Sequence, residues 1–121
     1  TLNREPLFYI LIRGVFMSVE IAVSGEVTTA YLSGEIDHHS AAAMRAEIDN
    51  AAELNLPALL VLDFTRVSFM DSSGIGLVMG RYRNLSKRGA KLHITGASPQ
   101  IYKVMRLSRI EKLATIDQCK N

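Results

Sequence analysis

The run Ala58-Leu59-Leu60-Val61-Leu62 constrains this chain most. It is short, continuous and apolar, with Pro57 before it and Asp63 and Phe64 closing it. Such a run suits a strand buried on both faces, as in a parallel sheet. Helical patterns flank it. Upstream, Ser40 can cap a helix from Ala41 to about Leu54, in which Met44, Ile48, Ala51 and Ala52 recur at three- and four-residue steps. Downstream, Ile75, Val78, Met79, Tyr82 and Leu85 share one face of a second helix, which Gly89 is placed to end.

The rest of the chain extends this alternation. Val19, Ile21 and Val23 alternate with polar or small residues, and Val27 to Ser33 is rich in Val, Thr and Tyr. With Ser24-Gly25-Glu26 between them, the two segments read as a hairpin. Lys91 to Thr95 alternates again. Ser98-Pro99 supplies a cap and a first-position proline for a third helix marked by Ile101, Val104 and Met105. Leu113 to Ile116 reads either as a last strand or as the tail of a further helix. The fold class is therefore α/β, a mixed β-sheet of four to five strands packed with helices. A chain of 121 residues makes one domain of this kind.

The chemistry gathers where the apolar strand hands over to the second helix, at Ser68-Phe69-Met70-Asp71-Ser72-Ser73-Gly74-Ile75-Gly76. A helix start carries unpaired N–H groups and a partial positive charge, so it suits an anion such as phosphate. Ser72 and Ser73 are also good caps, and capping alone explains one of them. Gly74 and Gly76 each cost up to about 1 kcal/mol relative to Ala within a helix. Their presence implies that another surface comes close. Asp71 is either a further cap or part of the site.

Other chemistries are less well supported. Glu35, Asp37, His38 and His39 offer metal-ligand side chains, but adjacent histidines on an extended segment point to opposite sides, and no HxxxH or HExxH spacing exists. Serine catalysis would need a base and an orienting acid, yet the G-x-S-x-G elbow is absent. The P-loop ending is missing as well. We expect no enzyme activity, no metal and no cofactor. A formal charge of +2 does not point to nucleic acid. The single cysteine, Cys119, permits no disulfide within one chain and suits a reducing cytosol. No apolar run approaches the roughly 20 residues of a membrane span.

The segment Phe69 to Gly76, followed by Gly80-Arg81-Tyr82, resembles the signature of the bacterial anti-sigma factor antagonists, small single-domain members of the STAS family. Leu32-Ser33-Gly34-Glu35-Ile36-Asp37-His38-His39 is a second match, and Ser98-Pro99 a weaker third. The order of the three is consistent. The resemblance implies a single STAS domain over residues 17–121. It implies that Ser72, which directly follows the motif aspartate, is the phosphorylated serine, with Ser73 the structural one. It places Asp37, His38, His39, Asp71, Ser73, Gly74, Ile75 and Gly76 in a partner-binding surface. The implied partners are an anti-sigma factor with serine kinase activity and a manganese- or magnesium-dependent serine phosphatase. No nucleic acid or membrane partner is implied, and the location is cytoplasmic. The alternative is a STAS scaffold within a stress-signalling complex or a transporter.

Residues 1–16 precede the resemblance. Leu7 to Phe16 is apolar but interrupted by Arg13, and Met17-Ser18 is a plausible native start. The segment is expected to be an upstream extension, with an edge strand or partner-binding arm as the alternative.

Overall fold

The structure, a computed structural model, describes residues 18–117. The expected extension over residues 1–16 and Cys119 lie outside the described residues. Strands β1 (Val19–Ser24) and β2 (Val27–Ile36) form the expected antiparallel hairpin, turning at Gly25 with φ +60°. Then come α1 (His38–Asn55), β3 (Leu59–Met70), α2 (Ser72–Ser86), β4 (Lys91–Thr95) and α3 (Pro99–Leu107). A 3-10 turn at Ile110–Lys112 leads to β5 (Thr115–Ile116), so the last segment is a strand.

The five described strands lie in the order β1-β2-β3-β4-β5, and every pair after the hairpin is parallel. Each helical crossover steps to the next strand in the same direction. Right-handed crossovers therefore put all three described helices on one face of the sheet. Leu32, Leu60, Leu62 and Ile94 from the sheet meet Met44, Ile48, Leu77 and Met105 from the helices in a single core. Each such side chain contributes roughly 1.5–3 kcal/mol of transfer free energy. On the opposite face Thr29, Tyr31, Val61 and His93 are only half-buried. This corrects the expectation that the central strand is buried on both faces: Leu60 and Leu62 are buried, Leu59 and Val61 are half-buried, and Ala58 is exposed.

Strand β3 also runs six residues past Phe64. Polar residues break the apolar run there, but Phe64, Val67 and Met70 keep pointing into the core. The three-residue steps between them coincide with shifts in the β2–β3 register. Strand β4 stops opposite Asp63, so among the described residues the last part of β3 is paired with β2 alone. Gly96 turns the chain away at that point. Its φ is +76°, and a β-carbon there would overlap Thr65 Oγ1 and sit 2.9 Å from Thr65 N.

Two helix readings also change. Helix α1 begins at His38, capped by Asp37 rather than by Ser40. Its buried stripe is Ala41, Met44, Ile48 and Ala51, with Ala52 at the margin. Helix α2 is turned relative to the expected face. It buries Gly74, Leu77, Val78, Arg81 and Leu85, while Ile75, Met79 and Tyr82 flank the core. Gly89 adopts the left-handed conformation expected of it, three residues beyond the helix end. Helix α3 starts as expected, with Ser98 accepting a hydrogen bond from Ile101 N and Pro99 in the first position.

Candidate functional site

Ile36 at the end of β2 lies beside Met70 at the end of β3, and Asp71 N donates to Ile36 O at 3.2 Å. Helices α1 and α2 each start within two residues of these strand ends. Two helix N-termini therefore stand side by side at the carboxyl lip of a parallel pair, where open α/β sheets commonly bind ligands.

The first start is closed by reciprocal hydrogen bonds. Asp37 Oδ1 accepts from His39 N and Ser40 N, both at 2.9 Å. Ser40 Oγ accepts from Asp37 N at 3.0 Å and donates to Glu35 O at 2.6 Å. This is a capping box. The amide of Ser40, helped by that of His39, holds the Asp37 carboxyl below its ordinary value of 3.8, against the opposing effect of desolvation. His38 and His39 occupy the first helical turn, not an extended segment, and both are exposed. Their rings meet edge to face with centroids 5.6 Å apart. Among the described residues, no group of three or more His, Cys, Asp or Glu side chains is arranged to hold a metal ion.

The second start is more open. Asp71 is the cap, and its carboxylate accepts from Ser73 N at 2.8 Å. Ser72 takes the first helical position and is exposed, whereas Ser73 is half-buried. Among the described residues, the Ser72 hydroxyl has no hydrogen-bond partner.

The two glycines separate. Gly74 is buried, and a β-carbon there would overlap Met70 Cγ and Sδ and lie 3.4 Å from Ile36 Cγ2. It lets α2 close against the strand ends, so its requirement is internal. Gly76 is exposed, and a β-carbon added to it would meet nothing within 4 Å, so nothing in the fold demands a glycine there. Ile75 lies between them, half-buried.

Sequence reasoning missed one buried charge. Arg81 is 5% exposed, and its Nε lies 2.9 Å from Asp49 Oδ1 on α1. The Nε–H is not aimed at that oxygen, so the pair is a charge contact rather than a hydrogen bond. Burial lowers the Arg81 pKa and Asp49 opposes the shift. The helical repeat from Leu77 and Gly74 already placed position 81 on the buried stripe. A cleft of about 350 Å³ beside this pair is lined by the later turns of α1 and α2, away from Ser72.

Residues 18–119 match the STAS domain, and the chain belongs to that family. It is similar to the anti-sigma F factor antagonist of Lysinibacillus sphaericus, with 36% identity over 71% of this chain and 74% of the relative. Its fold is similar to that of the anti-sigma factor antagonist SpoIIAA in its unphosphorylated form, with 33% identity, a TM-score of 0.71, and coverage of 83% of this chain and 88% of the other. The Bacillus cell fate determinant SpoIIAA in its phosphorylated form aligns with 33% identity and a TM-score of 0.65, over 83% of this chain and 91% of the other.

Proposed function

We propose that this chain is an anti-sigma factor antagonist. Unphosphorylated, it binds an anti-sigma factor that is also a serine kinase, and the bound sigma factor is released. The kinase phosphorylates Ser72 and ends the complex; a serine phosphatase restores it. The partner supplies the ATP, and the exchange takes place in the cytoplasm. The observation that carries this reading is the exposed Ser72 hydroxyl at the first position of α2, without a partner among the described residues. The names of the relatives support it, as does a similar protein solved in both phosphorylation states.

The switch is electrostatic. A phosphate adds roughly −1.5 to −2 charges. The start of α2 tolerates an anion, so the fold has no need to rearrange. Asp71 lies next to it in sequence, and a docking surface matched to a neutral hydroxyl now meets a dianion beside a carboxylate. A mismatch of about 3 kcal/mol lowers affinity on the order of a hundredfold.

The test mixes the protein with an anti-sigma kinase and ATP, following complex formation and phosphate incorporation. Ser72→Ala should bind and take up no phosphate. Phosphate found on Ser73 by mass spectrometry would refute the assignment. Ser72→Asp should bind more weakly by calorimetry.

A further inference from the structure

Phe69 is 49% exposed one residue before the end of β3. Among the described residues, the other large exposed apolar side chains, Leu54, Leu56, Leu107 and Leu113, are aliphatic and lie outside the strands. At Phe69, β3 has a neighbouring strand on one side only among the described residues, because β4 ends opposite Asp63. Ile36 and Met70 turn into the core from this two-stranded ribbon, while their neighbours Glu35 and Phe69 stand paired and exposed. Gly34 on the same ribbon is exposed and has φ +87°, with nothing within 4 Å of where a β-carbon would stand. Gly34 stands opposite Val67, two residues before Phe69. Ser72 follows three residues after Phe69 on the same lip.

A stable interface covers roughly 800 Å² on each partner, about 20–30 residues. A partner that covers the Ser72 hydroxyl has a footprint large enough to reach the ribbon. Binding energy in such a footprint concentrates in a few residues, aromatic ones prominently, and a half-exposed ring gains from losing its remaining water contact.

We propose that Phe69 is the apolar anchor of the docking surface, inserting its ring into an apolar pocket of the same kinase partner that acts on Ser72. This rests on the reading of Ser72 given above. Phe69 is a binding determinant and takes no part in phosphoryl transfer.

The experiment compares the wild-type protein with Phe69→Ser, Phe69→Leu and the control Leu107→Ser, using calorimetry against the anti-sigma kinase. Phe69→Ser should weaken binding tenfold or more, with Phe69→Leu in between and Leu107→Ser unchanged. In the kinase assay the KM for the Phe69→Ser protein should rise while kcat holds. Should Phe69→Ser melt early, Phe69→Leu decides the matter, since it keeps an apolar side chain and removes only the ring. Wild-type and Phe69 variants binding within twofold of one another, with Ser72 still phosphorylated, would overturn the anchor and leave the Ser72 reading standing. A wild-type protein that does not bind the kinase would overturn both.

Discussion

Helices α1 and α2 both start on an aspartate at the same lip, and they leave different groups open. At α1, Asp37 receives two backbone amides and Ser40 returns a bond to the Asp37 amide. At α2, the Asp71 carboxylate receives one amide, and the next residue presents a hydroxyl with no partner among the described residues. The first start is built to hold its own chain in place. The second is held by its cap and by Gly74 against Met70, which leaves Ser72 outside. Adjacent sites with the same cap chemistry can thus serve stability in one case and exposure in the other.

The largest test acts on the charge contact between the two helices. Asp49→Ala leaves the Arg81 guanidinium buried without its counter-charge, which should cost about 3 kcal/mol in urea unfolding. Replacing the pair with apolar side chains, Arg81→Met with Asp49→Leu, should recover most of that loss. If Asp49→Ala unfolds like the wild type, the charge contact contributes nothing to the helix pair.

The next test separates the glycines. Gly74→Ala should destabilise by about 2 kcal/mol, since Met70 must move out of a packed site. Gly76→Ala meets no atom and should stabilise by up to about 1 kcal/mol, because alanine is the better helix former. On the proposed function, Gly76→Ala should also weaken partner binding. A reversed order of stabilities would remove the distinction between the internal and the open glycine.

Much of this was legible in the sequence, and what was not has physical causes. Hydrophobic periodicity locates the three described α-helices, and the order of elements gives the α/β class. It missed the start of α1 because Ser40 and Asp37 are both good caps three residues apart, and in a capping box both take part. Strand β3 was cut short because apolar continuity ends at Phe64, while the inward positions carry on at irregular steps. The helical repeat places Arg81 on the buried stripe, but its counter-charge is not readable from that repeat, because Asp49 is distant in sequence. The Ser72 position was readable, since a serine after a strand and before a helical pattern falls at a helix start. Its exposure relative to Ser73 depends on how α2 is turned, which side-chain periodicity alone did not give.

The smallest test concerns acid. The Asp37 carboxyl titrates below its ordinary value because the Ser40 and His39 amides favour its charged form. A group with a depressed native pKa contributes stability above its unfolded pKa and loses it as pH falls through the native value. The α1 cap should therefore persist at neutral pH and weaken once the pH drops below about 4. Protection at the His39 and Ser40 amides, taken relative to their intrinsic exchange rates at each pH, should fall over that range, ahead of protection in the middle of α1. Asp37→Asn keeps an oxygen acceptor that does not titrate, so protection at these amides should lose most of its pH dependence. Equal acid sensitivity in Asp37→Asn and the wild type would mean that another carboxylate governs the start of α1, and the closed half of the comparison would then need a different cause.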